Sequence, residues 1–317
     1  MTHQQVQLVA EQIRDNRVRG VTTIARETAR ALEVQAEETE PDDPEEFLET
    51  MREATRRLYE ARPEPPKRSI GLTNTLRYVF QNIEGETAED LRTSTIAVSR
   101  SFREDIKQAR DTLGEIGSHR LGDGDTVMTH CHSTDALSAI KHALEDGKSI
   151  DAFVKETRPQ KGGHITAQTL REWDVPVTFI VDGAEHRYLD EVDHVVVGAE
   201  SIAADGSVVN RIGSAGLAVN AREKGVPVTA VAQTLKLDPD ALTGHDFDMK
   251  MRDESEVIDD RTREQIGDIR VKNPAFDVTP PRYVDAIVTE RGQFPPESIV
   301  VLMRELYGDT GKNPWDD

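Results

Sequence analysis

Short β-rich runs alternate with amphipathic helical stretches from about residue 121 onward, and this alternation narrows the folds open to the chain. The runs are TVMTH, IDAFVKET, PVTFIVD, HVVVGAE, PVTAVAQT and YVDAIVTE. Short apolar strands joined by helices are typical of βαβ units, in which helices cover both faces of a parallel sheet. The pattern therefore predicts a Rossmann-like parallel sheet.

The chain before this point has the spacing of helices instead. An apolar stripe runs from Val6 to Val18 and resumes after Gly20. Asp43 and Pro44 have the residue types of a helix N-cap and first helical position. The prolines of RPEPPKRS then interrupt the helices, and two further helical patterns follow.

These two sequence patterns predict an α/β chain with two domains. An α-helical N-terminal domain covers residues 1–118, and a Rossmann-like α/β domain covers residues 119–317. Residues 240–280 have the least regular pattern, and we expect a lid or an oligomer contact in that segment.

Charge and cysteine content exclude several classes of protein. The formal net charge is −20, which argues against nucleic-acid binding because phosphate backbones select basic surfaces. No apolar run is long enough for a membrane span, and the N-terminus lacks the pattern of a signal peptide. A single cysteine allows no internal disulfide, so we expect a reducing cytoplasm.

Arginine is much more frequent than lysine, with twenty-eight arginines and eleven lysines. Dense surface carboxylates with few lysines keep a protein soluble in concentrated salt. We infer a halophilic source, and the alternative is an ordinary acidic protein.

The first candidate site lies in THCHSTD, residues 129–135. Cys131 follows a predicted strand, where a helix N-terminus and nearby arginines would lower the pKa of its thiol. Ser133 or Thr134 can cap the next helix, whose exposed N–H groups would bind an anion. Cys131 could instead be buried and inert. A metal site with His130 and His132 is less favoured, because no second cysteine cluster completes a ligand set.

Two later segments carry related chemistry at predicted strand ends. In KETRPQKGG, Arg158 is suited to a bidentate grip on phosphate, and Gly162 and Gly163 allow close backbone approach, although a solvated turn has the same composition. In GAESIAADGSVVNRIGS, the carboxylate of Glu200 precedes the Asn-Arg pair at 210–211. Ligands collect beyond the carboxyl ends of parallel strands, so we expect one shared crevice. No predicted strand is followed by G-x-G-x-x-G or a P-loop, and we expect no cofactor.

These segments together resemble the archaeal ribose-1,5-bisphosphate isomerases. That family shares a superfamily with methylthioribose-1-phosphate isomerase and the regulatory subunits of translation initiation factor 2B. The resemblance covers essentially the whole chain and includes the lysine of AQTLKL and the tail NPAFDVTPPRYVDAIVTERG. The cysteine of THCHS, NPAFDVTPP and the closing PWDD point to the isomerase branch.

The resemblance implies conversion of α-D-ribose 1,5-bisphosphate to ribulose 1,5-bisphosphate in nucleoside and AMP degradation. It implies AMP as an effector and a homo-oligomer, either a dimer or a hexamer. Cys131 would abstract the proton and Glu200 would stand at the proton donor. The residues that would hold the substrate are Arg19, Gly20, Val21, Thr22 and Arg62 from the helical domain, with Ser133, Thr134, Asp135, Asn210, Arg211 and Lys236 from the sheet domain.

The chain departs from the isomerase pattern at five positions. Val21 and Thr22 are bulkier than the small residues usual in that segment. The isomerases place Asp at Glu200, Gln at Gly162 and Lys at Arg211. Two alternative functions stay open: a non-catalytic regulatory protein that binds a sugar phosphate or nucleotide, like the initiation-factor subunits, and a methylthioribose-1-phosphate isomerase. The latter would need an apolar pocket for the methylthio group.

Overall fold

The computed structural model describes residues 2–15, 17–18, 20–40, 43–61, 70–247, 249, 251–308, 313 and 315. The chain divides into two compact units. The helical unit comprises residues 1–109, 235–240 and 301–317, and the sheet unit comprises residues 110–234 and 241–300. The predicted domain limits at residues 118 and 119 stay predictions.

The helical unit is built on amphipathic helices. These are α1 (Gln4–Arg14), α2 (Val21–Glu37), α3 (Pro44–Tyr59), α4 (Ile70–Gln81) and the first two-thirds of α5 (Ala88–Ser118). Phe47, Met51 and Trp315 are fully buried in its core. The carboxylate of Asp43 accepts a hydrogen bond from the N–H of Glu45 at 2.8 Å, which confirms the predicted start of α3. Among the described residues, no helix has both the length and the apolar character needed to span a bilayer.

The rest of the chain alternates strands with helices. In chain order the elements are β1 (Thr126–Thr129), α6 (Thr134–Glu145), β2 (Asp151–Lys155), α7 (Gly162–Glu172), β3 (Val177–Ile180), α8 (Glu185–Tyr188), β4 (His194–Val197), β5 (Ser201–Ala203), β6 (Val208–Arg211), α9 (Ser214–Lys224), β7 (Val228–Val231), β8 (Leu237–Asp238, in the helical unit), α10 (Asp260–Ile266), β9 (Phe276–Thr279), β10 (Ala286–Thr289), β11 (Gly292–Phe294) and α11 (Ile299–Tyr307).

All six predicted runs form strands of one seven-stranded sheet, whose order is β11-β10-β7-β4-β1-β2-β3. Its neighbouring strands pair in parallel except for β10 and β11, which are antiparallel. The central strands are buried along nearly their whole length, as expected when helices cover both faces. The α/β fold class is confirmed.

A small antiparallel arrangement of β5, β6 and β9 was not predicted. Ser201 pairs with Val209, and Val208 pairs with Thr279. GAESIAADGSVVNRIGS is therefore a β-hairpin followed by the start of a helix; the Asp-Gly turn and the helix were predicted, and the hairpin strands were not. The available signal was the Asp-Gly dipeptide at 205–206, since Asp-Gly between two short apolar runs is typical of a hairpin turn. The expected lid or oligomer contact within residues 240–280 stays a prediction.

Candidate active site

Cys131 lies immediately after β1 in a strained backbone conformation. Its φ angle is +68°, in the left-handed region that residues with a Cβ rarely adopt. Two threonines hold it there: its N–H donates to Thr157 Oγ1 at 2.8 Å, and its carbonyl accepts from Thr166 Oγ1 at 2.7 Å. The backbone that carries the thiol is thus fixed by hydrogen bonds on both sides of the Cys131 α-carbon.

The predicted helix cap next to this cysteine is confirmed. Ser133 is the N-cap of α6, and its Oγ accepts a hydrogen bond from the N–H of Ala136 at 3.2 Å. Thr134, the first residue of the helix, is exposed. Gly198, at the end of β4, approaches so closely that a Cβ there would lie 2.1 Å from Ser133 Oγ. The end of β4 and the N-terminus of α6 are therefore in direct contact.

The pKa of the Cys131 thiol is raised above its usual value because the side chain is largely buried. The N–H of His132 and a hydrogen bond from the Arg211 side chain act in the opposite direction, and the Glu200 carboxylate adds to the increase. The prediction of a lowered thiol pKa is wrong, because the loss of hydration outweighs the nearby arginine.

Two adjacent glycines at the start of α7 determine how closely the backbone approaches this site. A Cβ at Gly162 would lie 3.0 Å from Cys131 Sγ and 3.2 Å from the nitrogen of His132. A Cβ at Gly163 would lie 1.8 Å from the carbonyl oxygen of Lys155, which no rearrangement of side chains could relieve. The two glycines therefore lie against the backbone of β2 and of the Cys131 segment, and their close approach to a phosphate stays a prediction.

The β5–β6 hairpin brings Glu200 and Arg211 to the thiol. The N–H of Glu200 donates to the carbonyl of Val209 at 2.8 Å, and its side chain is exposed. The Arg211 guanidinium lies 4.8 Å from the centre of the Phe276 ring. Its positive charge favours the Cys131 thiolate and the Glu200 charge opposes it, so both charges act on the pKa of the thiol.

Asn210 and Asp135 are both buried and both have protein partners. The side-chain amide of Asn210 donates to Ser214 Oγ at 3.0 Å, at the start of α9. The Asp135 carboxylate accepts from Gln233 Nε2 at 3.0 Å and lies 3.4 Å from Arg110 Nε. Both side chains are thus held by other side chains near the strand ends.

Arg158 lies on the exposed side of the same region. Its N–H donates to the Asp182 carboxylate at 2.6 Å, which fixes the turn after β2. Arg158 lines a small cleft together with Arg211 and Arg252. Arg252 is paired with the carboxylate of Glu256. The cleft is nevertheless a concentration of positive charge in a strongly acidic protein.

The remaining predicted site residues belong to the helical unit. Gly20 precedes α2 with a φ of +84°, and Val21 and Thr22 are its first two residues. Lys236 ends a short 3-10 turn. Arg19 and Arg62 lie outside the described residues. The proposed contacts of these side chains with a ligand stay predictions.

Behind the thiol lies a group of buried polar residues that the sequence analysis missed. His130 is 1% exposed, and its pKa is lowered to about 3 by burial and by the charge of Lys155. Lys155 Nζ lies 3.4 Å from Glu185 Oε2 and also 3.4 Å from the carbonyl oxygen of Gly213. The available signal was a lysine within the otherwise apolar run DAFVK.

Asp277 completes this group from β9. Its carboxylate accepts hydrogen bonds from the N–H of Gly213 at 2.7 Å and of Ala215 at 3.1 Å. Burial nevertheless raises its pKa to about 6. The residue therefore holds the first turn of α9, directly after Arg211.

The fold and the strand-end site define an α/β protein of the Rossmann-like kind, and comparison with known proteins narrows the class. The translation initiation factor eIF-2B of Pyrococcus horikoshii has a similar structure, with a TM-score of 0.68 and 26% identity over 94% of this chain and 99% of that one. The chain belongs to the initiation factor 2 subunit family, whose model matches residues 17–296.

Two curated relatives are more similar still. The ribose 1,5-bisphosphate isomerase of Haloterrigena turkmenica is 57% identical over 315 residues, which cover 97% of this chain and 95% of the relative. The ribose 1,5-bisphosphate isomerase of Haloferax volcanii is 55% identical over 313 residues, which cover 99% of this chain and 96% of the relative. Both organisms are halophilic archaea, in agreement with the source inferred from the charge.

Proposed function

We propose that this chain is a ribose-1,5-bisphosphate isomerase, which converts α-D-ribose 1,5-bisphosphate to ribulose 1,5-bisphosphate in nucleoside and AMP degradation. The observation that carries the proposal is the identity of 55–57% with two such isomerases over nearly the full length of each chain. The proposal also includes action in the cytoplasm, a homo-oligomer (dimer or hexamer) and AMP as an effector.

Cys131 is the proposed base and Glu200 the proposed acid. The Cys131 thiolate takes the proton from C2 while Glu200, as the carboxylic acid, protonates the ring oxygen and the bond from C1 to that oxygen breaks. The product of this step is an open-chain enol with a double bond between C1 and C2. Cys131 then returns its proton to C1, and the Glu200 carboxylate takes the proton from the C2 hydroxyl as the ketone forms. Both residues end in their starting protonation states.

The geometry around Cys131 supports this assignment. A thiol whose pKa burial raises is a stronger base once it is ionised, and Arg211 is placed to stabilise the thiolate. The strained backbone of Cys131 and its two threonine hydrogen bonds hold the sulfur in one place. Such fixed positioning of a reacting group accounts for a large part of enzymatic rate enhancement.

The substrate's two phosphates need cations and N–H donors. In the sheet unit these are the N-terminus of α6 with Ser133 and Thr134, and the guanidinium groups of Arg158 and Arg211. Asp135 and Asn210 are further proposed substrate contacts of the sheet unit, and their side chains are positioned by Gln233 and Ser214. The proposed contribution of the helical unit is the segment 19–22 with Arg62 and Lys236.

The test is turnover by purified protein in concentrated salt, with ribulose 1,5-bisphosphate measured as product in the presence and absence of AMP. We expect turnover that AMP increases. A protein that binds ribose 1,5-bisphosphate without converting it would instead be a regulatory member of the family. Conversion of methylthioribose 1-phosphate at a higher kcat/KM would assign the chain to that isomerase class.

A further inference from the structure

Lys155 is an unusual residue for the end of a buried strand. Its side chain is 1% exposed, and the carboxylate of Glu185 lies 3.4 Å from its ammonium group. Glu185 is itself held by the side-chain amide of Asn220, which donates to Oε1 at 3.2 Å. A buried ion pair contributes little net stability, because the loss of hydration offsets the attraction between the charges. The pair therefore calls for an explanation other than stability.

The backbone carbonyl and the ammonium group of Lys155 contact two different segments near the thiol. The carbonyl of Lys155 accepts from Thr157 Oγ1 at 3.2 Å, and the same Oγ1 accepts from the N–H of Cys131 at 2.8 Å. The ammonium group of Lys155 donates to the carbonyl of Gly213 at 3.4 Å. Gly213 is two residues beyond Arg211, and Arg211 lines the same cleft as Thr157, whose Oγ1 accepts the hydrogen bond from the Cys131 N–H.

The turn at Gly213 is also held from two other directions. Its N–H donates to the Asp277 carboxylate at 2.7 Å. The His130 ring packs against its α-carbon, since a Cβ there would lie 2.9 Å from His130 Cε1. Gly213 has a φ of +103°, which glycine adopts without steric strain, and these contacts select that conformation among the many open to it. Lys155 provides the contact on the carbonyl side.

We propose that Lys155 is a positioning residue: it holds the Gly213 turn at a fixed distance from Cys131, so that the Arg211 guanidinium keeps its position near the thiol. Glu185 orients the ammonium group through the ion pair. The effect on turnover rests on the proposed isomerase function, whereas the effect on the thiol itself does not.

The chain contains one cysteine, so alkylation by iodoacetamide reports on Cys131 alone. The rate is measured against pH on the full-length protein, wild type and Lys155→Met. We expect the variant to react about tenfold more slowly at pH 8, because loss of the Arg211 contact raises the pKa of the thiol and one pKa unit lowers the thiolate fraction tenfold. We also expect kcat to fall about tenfold with KM nearly unchanged.

The matched control is Lys224→Met, which breaks an exposed ion pair with Asp190 in the same unit (2.8 Å). It should leave the alkylation profile and kcat unchanged. An equally slow reaction in this control, or a wild-type rate in Lys155→Met, overturns the proposal.

The double variant Lys155→Met/Glu185→Gln separates positioning from simple charge balance. It leaves no unpaired carboxylate in the interior and should therefore fold where the single variant does not. Slow alkylation in the double variant supports the positioning role, because the Gly213 carbonyl still lacks its donor. Recovery of the wild-type rate shows that Lys155 only neutralises Glu185, and the proposal fails. If the wild type converts no ribose 1,5-bisphosphate, the proposed function fails, while the alkylation rates still decide the role of Lys155.

Discussion

The segments that carry Cys131 and Glu200 are held in very different ways. Cys131 is largely enclosed, its backbone is strained, and two threonine side chains bind its peptide unit. Glu200 has an exposed side chain, and its backbone N–H bonds to Val209 within the hairpin. The proposed base is thus held in one conformation, whereas the exposed side chain of the proposed acid can change its conformation. We expect the two positions to tolerate change to very different degrees.

The largest effect is expected for Cys131→Ser. A serine hydroxyl cannot act as a base of comparable strength, so kcat should fall by roughly 10³-fold, within the range that positioned acid–base groups contribute. The variant should still bind the bisphosphate, which isothermal titration would measure. Retention of most of the activity would show that Cys131 is a structural cysteine.

Substitutions at Glu200 test the freedom of the acid. Glu200→Gln removes the proton donor and should lower kcat by roughly 10²-fold. Glu200→Asp shortens the side chain by one methylene and should cost only about tenfold, less than the roughly 100-fold that a 1 Å displacement costs in a rigid site. Equal losses in the two variants would mean that Glu200 is held as tightly as Cys131. A gain of activity in Glu200→Asp would mean that the glutamate is misplaced for catalysis.

Gly162→Ala tests how tightly the thiol is enclosed. The new methyl group would lie 3.0 Å from Cys131 Sγ, so the sulfur must shift, and we expect kcat to fall about tenfold. Gly216→Ala is the matched control, because a Cβ there meets no atom closer than Glu185 Oε1 at 3.9 Å. That control should be as active as the wild type. Comparable activities of both variants would show that the space above the thiol is not critical.

Thr157→Val gives the smallest expected effect, mainly on stability. It keeps the side-chain shape but removes the acceptor for the Cys131 N–H, and leaving that group unsatisfied should cost about 1–3 kcal/mol in urea unfolding. Thr169→Val removes a hydroxyl on an exposed face of α7 and should cost much less. If both variants lose the same free energy of unfolding, the hydrogen bond from the Cys131 N–H to Thr157 contributes no particular stability.

The sequence was informative where a pattern is long or a residue type is restricted. The six strand runs, the Asp43 cap and the Ser133 cap were all predicted, because apolar alternation and capping chemistry are local properties. The β5–β6 hairpin was missed because its Asp-Gly turn is also typical of a loop that leads into a helix. The raised thiol pKa and the Lys155–Glu185 pair were missed for another reason: burial depends on residues distant in sequence.

The left-handed backbone of Cys131 implies that thermal stability and activity favour different residues at this one position. A residue with a Cβ held in that conformation carries about 1–3 kcal/mol of strain, which glycine avoids. A protein carrying Cys131→Gly should therefore keep the fold, lose the thiol and gain resistance to unfolding at that position. Any directed-evolution campaign that screens this enzyme for heat resistance alone would drift toward inactive variants there, and an activity screen has to accompany it.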